Sequence, residues 1–174
     1  MSLLAQIGIV PDQVLSPDID ETPAPDEAPR VYALRMAQSK AAHISGAYVL
    51  AADTVVAVGR RIMPKAADAG QVRACLTLLT GRRHTVLTAI TLVTPDGERS
   101  ARVSVSTVSF ARLTVAQTDA YVTSDEGLGK AGGYAIQGRA AAFVRALSGS
   151  YSGVVGLPLF ETTQLLRGRG YPVP

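Results

Sequence analysis

The stretch that decides the fold reads VLAADTVVAV and runs from Val49 to Val58. Nine of its ten residues are apolar or common in strands, which predicts a buried β-strand. The tenth, Asp53, places a carboxylate in the middle of that strand. One interpretation is that Asp53 caps a turn after a shorter strand. Because VVAV continues the run, and a buried carboxylate is costly unless it is paired or bound to a metal, we expect a functional role for Asp53.

The length and composition of the chain indicate one globular domain over residues 1–174. Hydrophobic residues make up 47% and charged residues 18% of the chain, and a chain of this size can bury a core without disulfides. Its single cysteine, Cys75, lies at helical spacing in VRACLTLL and is interpreted as a packed core thiol. With no secretory leader and no run of about 20 apolar residues, we expect a cytoplasmic protein without a membrane partner.

The net charge of +3 is mildly basic. Such a balance attracts nucleic acid or phosphorylated small molecules. The arginines stand in small groups, such as Arg60-Arg61 and Arg82-Arg83, and lack neighbouring aromatic residues on which bases would stack. We therefore expect no nucleic-acid partner, and interpret most of these arginines as solvated surface residues.

Apolar spacing and capping residues predict several helices. They cover a segment closed by Gly8, residues 30–45, the segment from Asp68 to Leu79, about ten residues after the T-x-x-Q capping box at Thr114, and about residues 159–167. Residues 16–29 hold four prolines and are predicted to form a loop. The buried face of the helix at 30–45 is predicted from apolar residues at steps of three and four: Val31, Leu34, Ala37, Ala41 and Ile44.

Strands are predicted at residues 47–58, 84–94, 99–110 and about 142–147. The turn signal at 95–98, PDGE, joins the second and third of these in a hairpin. Helices and strands alternate, so the fold class is α/β, and the hairpin indicates a mixed sheet with flanking helices. His43 and His84 have no metal-ligand spacing and are interpreted as surface or helix-end residues.

Basic and amide side chains elsewhere suit a phosphate ligand. A turn at Gly59 would bring Lys65 back towards Asp53, and Lys40 would point there from its helix; each lysine by itself is more commonly a surface residue. The segment KAGGYAIQG, from Lys130 to Gly138, contains three glycines in nine residues, which lets backbone approach a ligand closely. Its Gln137 offers a donor and an acceptor to a base or sugar. An ordinary glycine-rich turn is the alternative interpretation.

Five motifs, in this order, resemble those of the Maf nucleotide pyrophosphatases: MAQSKA, AADTVV, IMPKA, KAGGYAIQG and SYSGVVGLPLFET. The resemblance covers essentially the whole chain. It implies an α/β fold similar to that of inosine triphosphate pyrophosphatases, with two lobes around a cleft. It also implies hydrolysis of a nucleoside triphosphate to a monophosphate and pyrophosphate with a divalent metal, Mg²⁺ or Mn²⁺. The AGGYAIQG wording is similar to the branch that prefers dTTP and UTP, with modified pyrimidine nucleotides as further substrates.

The resemblance also implies roles for single residues. Asp53 would be the proton acceptor that activates water, and Glu21 would join Asp53 at the metal. Lys40 and Lys65 would contact phosphates, with Lys130 in the glycine-rich substrate loop. The residues that shape base selection would be Thr54 and Gln137. The family is linked to arrest of septum formation, and the resemblance allows a homodimer.

The chain departs from the family pattern at its beginning. The family's first strand and its phosphate-binding S-x-S-P-R-R segment have no counterpart before Met1. We therefore expect a natural start upstream of Met1 or a shortened form, and a non-catalytic nucleotide-binding protein is the alternative function, because a phosphate clamp of two arginines is missing. Smaller departures are Ala66, where proline is usual, and Gly153, where asparagine is usual.

Overall fold

The computed structural model describes residues 3–174 as a five-stranded antiparallel sheet with helices on both faces. The strands are β1 (Val49–Val58), β2 (Arg61–Ile62), β3 (Arg83–Val93), β4 (Arg99–Phe110) and β5 (Val144–Ser148), in the order β2-β1-β3-β4-β5. The α/β fold with flanking helices is confirmed. All strand pairs described in residues 3–174 are antiparallel, where a mixed sheet was expected.

The helices are α1 (Pro29–Ala41), α2 (Ala69–Leu79), α3 (Val115–Thr123), α4 (Tyr151–Val155) and α5 (Leu159–Gly168). The predicted caps are present: the Asp68 side chain accepts from the Gln71 backbone, and Thr114 forms a capping box with Gln117. A 3₁₀ turn at Leu4–Ile7 ends at Gly8 in the left-handed region, while Ser2, the first residue of the predicted N-terminal segment, lies outside the described part. The short helix α4 lies in a segment for which the sequence predicts neither a helix nor a strand.

Each face of the sheet has its own hydrophobic layer. Helix α1 packs on the face that contains Val55, Ala57, Leu87 and Ala89. On the opposite face, α2 covers Val56, Val86 and Val108, while α5 covers the other end of the strands. None of the helices described in residues 3–174 has the length and apolar character needed to cross a membrane.

Two predictions about burial are wrong and one is confirmed. Helix α1 ends at Ala41 rather than at 45, and Val31 is 57% exposed; the buried face is instead formed by Tyr32, Ala33, Met36, Ala37 and Ala41. His84, predicted at the surface, is only 3% exposed, because alternate residues of β3 face the layer under α2. Cys75 is buried in that layer, as expected.

Candidate active site

Four charged residues proposed from the sequence meet at the middle of β1. The Lys40 Nζ lies 2.5 Å from Asp53 Oδ1 and 2.9 Å from Glu21 Oε1. The Lys65 ammonium donates to the other Glu21 oxygen. Residues that are far apart in sequence thus form one alternating chain of two carboxylates and two ammonium groups.

The loop before α1 is held against the helix, and this places Glu21. The Tyr32 hydroxyl donates to the Glu21 carbonyl oxygen at 2.7 Å, and Arg35 Nη2 donates to the Thr22 carbonyl oxygen at 3.1 Å. Lys40 lies in the last turn of the same helix, which packs across β1. Helix α1 therefore positions Glu21 through its first turns and Lys40 through its last.

Backbone pairing brings the Lys65 segment to the glycine-rich segment. The Gly129 N–H donates to Ala66 O at 2.8 Å, and the Ala66 N–H donates to Lys130 O at 3.2 Å, beside a β-bridge between Lys65 and Ala131. The bond from Ala66 to Lys130 requires a backbone N–H at position 66. Alanine has one, whereas a proline at this position would not. The Ala66 N–H therefore takes part in holding the Lys65 segment against the glycine-rich segment.

Gly132 lies against β1 in a conformation that suits only glycine. Its φ is +68°, and a Cβ at this position would stand 2.8 Å from Val56 Cγ1. Both the left-handed backbone and the lack of space exclude a side chain here. The glycine-rich segment can therefore lie directly on the strand that carries Asp53.

These elements enclose a cavity of about 270 Å³. Its walls contain six of the seven residues proposed as catalytic or binding, all except Glu21: Lys40, Asp53, Thr54, Lys65, Lys130 and Gln137. Glu21 borders the cavity through its contacts with two of these lysines. The glycine-rich segment is therefore part of the site rather than an unrelated turn.

The cavity lies over one face of the sheet, where Val86 of β3 also lines it, and reaches round the edge of β1. Successive side chains of a strand point to opposite faces, yet Ala52, Asp53 and Thr54 all line it, which requires the cavity to reach the side of the strand. On that side β2 pairs only with Ala57 and Val58. Within residues 3–174, no strand pairs with the rest of that edge.

Burial and ion pairing set the protonation of the site. Burial raises the pKa of Asp53, and the hydrogen bond from Lys40 opposes this rise only in part. Burial alone would lower the pKa of Lys40, but its hydrogen bonds to Asp53 and Glu21 outweigh that effect and raise it. Partial burial likewise opposes ionisation of Glu21, but Lys65 and Lys40 lower the pKa of this carboxyl. Asp53 is thus a stronger base than an ordinary aspartate.

Two carboxylates of the site could hold Mg²⁺ together with substrate phosphates. No group of three His, Cys, Asp or Glu side chains arranged to hold a metal occurs in residues 3–174. Mg²⁺ in nucleotide sites is typically bound by only one or two carboxylates plus phosphate oxygens. Glu21 and Asp53, joined through Lys40, supply such a pair.

A wider groove of about 480 Å³ lies elsewhere, beside Tyr48, Asp96 and Arg169. Its charged groups include an Arg169–Glu98 ion pair at the surface, and Asp53 and the three lysines are not among its lining residues. The chemistry of the molecule is therefore concentrated in the smaller cavity.

Two parts of the site were not anticipated from the sequence. Tyr134, which lines the cavity, has its hydroxyl 2.7 Å from Nε2 of buried His84. Thr54 bonds the side chain of Thr88 on the neighbouring strand at 2.9 Å. The alternation of β3 could have indicated the burial of His84, but its pairing with Tyr134 depends on contacts 50 residues apart.

Comparison with known proteins shows the family of the chain. The family profile described as "Maf-like protein" matches residues 1–169, and the chain belongs to this family. A protein of Rhodospirillum rubrum named "dTTP/UTP pyrophosphatase" is 59% identical, covering 98% of this chain and 83% of its own. Proteins with the same name from Gluconobacter oxydans (57% identity; 97% and 82% covered) and Granulibacter bethesdensis (53%; 98% and 88%) are also similar.

Among solved structures, the nucleoside-triphosphatase / dITP/XTP pyrophosphatase of Mycobacterium abscessus is 24% identical over 64% of this chain and 65% of its own, with a TM-score of 0.41. Similarity at that level supports no argument about this chain. The family assignment therefore rests on the sequence comparisons.

Proposed function

We propose that this protein hydrolyses dTTP and UTP to a nucleoside monophosphate and pyrophosphate. The observation that carries the proposal is the buried Asp53 carboxylate, paired with Lys40 in a cavity that two further lysines line. The names of the similar bacterial proteins support the same reaction and substrates. Modified pyrimidine nucleotides belong to the same substrate class.

In this reaction Asp53 accepts a proton from the attacking water at its carboxylate. Its raised pKa brings it closer to the operating pH, where a general base is most effective. Lys40 holds the carboxylate in place and leaves it ionised for that step. The anhydride bond between the α- and β-phosphates breaks, and pyrophosphate leaves.

The remaining lysines bind and orient the substrate. Lys65 and Lys130, brought together by backbone pairing, contact the phosphates as point charges. Gln137 and Thr54 contact the base. Glu21 and Asp53 would hold a divalent metal, Mg²⁺ or Mn²⁺, which when bound supplies neutralisation of phosphate charge.

The test is hydrolysis of UTP and dTTP with Mg²⁺ in water enriched in ¹⁸O. We expect the monophosphate, and not pyrophosphate, to carry the label. Asp53→Asn should lower kcat by about 10²–10⁴-fold, as expected for loss of a general base. Asp119→Asn, which changes a surface carboxylate paired with Arg73, is the matched control and should leave kcat unchanged.

Two results would overturn the proposal. Orthophosphate and a diphosphate as products would assign the cleavage to another bond. Nucleotide binding by calorimetry without any turnover would favour the binding-only alternative instead.

The expectation about the N-terminus stays a prediction. The similar proteins named above are longer, with 82–88% of their length covered. Mass spectrometry of the native protein tests whether translation starts upstream of Met1. A version extended by the family's arginine segment should bind triphosphate about ten- to a hundred-fold more tightly for each charged hydrogen bond that the arginines form with phosphate.

A cytoplasmic location, a homodimer, a link to septum formation and the lack of a nucleic-acid partner are further parts of the proposal. Fractionation of cells with a tagged protein tests the cytoplasmic location. Light scattering at several protein concentrations tests the homodimer. Cell length after deletion of the gene tests the link to septum formation. A salt-dependent affinity for DNA or RNA would contradict the expected lack of a nucleic-acid partner.

A further inference from the structure

Thr54 is joined to a buried hydrogen-bond relay behind the cavity. Its register partner on β3 is Thr88, and the two hydroxyl oxygens lie 2.9 Å apart. The Thr88 hydroxyl in turn lies 2.6 Å from the carbonyl oxygen of Gly153 in α4. Thr88 is 1% exposed, so solvent does not compete for these bonds.

The direction of each bond in the relay follows from the proton count. A carbonyl oxygen can only accept, and a threonine hydroxyl has one proton to donate. At 2.6 Å the Thr88 proton must lie between Thr88 and Gly153, because two oxygens this close would otherwise repel. Thr88 therefore accepts from Thr54, and the Thr54 proton is directed away from any ligand.

The carbonyl at the end of the relay is itself fixed. The Gly153 N–H donates to Ser150 Oγ at 3.0 Å, and the Gly153 carbonyl also accepts from the Gly156 N–H at 3.0 Å. A Cβ at Gly153 would lie 3.1 Å from the Ser150 side chain, so the helix is tightly packed here. The acceptor for Thr88 cannot easily turn away.

We propose that Thr88 is a positioning residue that makes the Thr54 hydroxyl a hydrogen-bond acceptor towards the base. A base that faces Thr54 must then present a donor. Uracil and thymine carry a proton on N3, whereas cytosine has an unprotonated N3 that would face the Thr54 lone pairs. With N3 of the base facing Thr54, the relay favours uracil and thymine over cytosine, whose own donor, the 4-amino group, lies at the neighbouring ring position. This inference rests on the proposed function, because it assigns the cavity to a pyrimidine nucleotide.

Equilibrium binding tests the inference without requiring turnover. The ligands are the α,β-methylene analogues of UTP and CTP, measured by calorimetry with Mg²⁺. An acceptor left facing another acceptor costs roughly ten-fold in affinity, so we expect the uridine analogue to bind the natural protein about ten-fold more tightly. Thr88→Val should reduce this ratio to near one, because the Thr54 hydroxyl is then free to rotate and donate. Thr88→Ser should retain the ratio.

Thr91→Val is the matched control for Thr88→Val. Thr91 lies on the same strand, is also 1% exposed, and its hydroxyl has no hydrogen-bond partner among the described residues. The same change at Thr91 should leave the ratio intact. A Thr88→Val protein that melts like the natural one and keeps the full ratio overturns the inference.

A second measurement needs no variant. A methyl group on N3 of the uridine analogue removes the donor, whereas a methyl on C5 adds the same volume elsewhere. We expect the N3-methyl analogue to bind at least ten-fold more weakly than the C5-methyl analogue, and equal affinities would overturn the inference. Base-selective binding without hydrolysis would refute the proposed function alone, and hydrolysis with an unchanged ratio in Thr88→Val would refute the relay alone.

Discussion

Lys40 is the cation that opposes the effect of burial on the pKa of Asp53: its Nζ lies 2.5 Å from the Asp53 Oδ1, and Asp53 is only 5% exposed. Replacing Lys40 by methionine leaves a buried carboxylate without its nearest positive charge, so the pKa of Asp53 should rise further. We expect the acidic limb of the kcat/KM profile to move to higher pH. We also expect kcat/KM at its optimum to fall about ten- to a hundred-fold, the effect of one charged hydrogen bond.

Lys40→Arg separates the shift of the acidic limb from the fall in kcat/KM, because it retains the positive charge. It should keep the acidic limb near its natural position even if the rate falls. An unshifted acidic limb in Lys40→Met would show that Lys40 does not control the protonation of Asp53.

Asp53→Asn should cost activity but not stability. Burial raises the pKa of Asp53, so the ionised form is less favourable in the folded protein than in the unfolded chain, and this penalty applies above the folded pKa. Asparagine resembles the protonated side chain, and Lys40 keeps Glu21 as a partner at 2.9 Å. We expect the free energy of unfolding at pH 7 to be equal to or higher than that of the natural protein. A clear decrease in urea denaturation would contradict this.

His84 should make the fold sensitive to acid. Burial lowers the pKa of His84 from 6.5 to about 4, so the unfolded chain binds a proton before the folded protein does. The stabilisation from keeping this histidine neutral is complete above pH 6.5 and is lost as the pH falls towards 4. The difference corresponds to roughly 3 kcal/mol, measurable as the midpoint of urea unfolding at several pH values.

Two variants test whether His84 is the group responsible. His84→Phe removes the titration and should flatten the pH dependence between 6.5 and 4, although loss of the bond to Tyr134 lowers stability at neutral pH. His43→Gln, which removes a histidine at an exposed position, is the matched control. If the stability of His84→Phe falls with pH as steeply as that of the natural protein, other groups cause the acid sensitivity.

Gly132 and Gly129 allow steric crowding to be separated from backbone strain. Both have a φ close to +69°, but a Cβ at Gly129 meets nothing within 4 Å, whereas one at Gly132 stands 2.8 Å from Val56. Gly129→Ala should cost about 1–2 kcal/mol of unfolding free energy, the strain of a left-handed conformation. Gly132→Ala should cost more and also lower substrate affinity, because β1 must move. Equal losses of unfolding free energy in the two variants would show that β1 moves aside without an energetic cost.

Much of the site was predictable because its residues lie in contiguous motifs. Asp53 stood out as an acid within an apolar strand, and the glycine-rich segment marked a close backbone approach, which Gly132 makes. The buried face of α1 was not predictable in the same way. Its apolar residues are spread around the helix, and small Ala33 and Ala37 pack on the sheet while Val31 is exposed.

The roles of Thr88 and His84 depend on strand register, which local sequence does not contain. Thr54 and Thr88 are 34 residues apart, and only the antiparallel pairing of β1 with β3 places them side by side. Shifting that pairing by one residue would turn the Thr88 side chain to the other face of the sheet. A single sequence could therefore supply the chemical groups of the site but not the bonds between them.

The edge of β1 before Ala57, which no described strand covers, should take up deuterium at alternate residues. The Val56 carbonyl accepts from Met63 on the β2 side, and peptide groups alternate in direction along a strand. The amides of Leu50, Ala52 and Thr54 therefore face the edge that no strand described in residues 3–174 covers, while those of the odd-numbered residues are bonded to β3. Exchange measured by NMR should alternate residue by residue along β1, fast and slow in turn, and a bound nucleotide should slow the fast set.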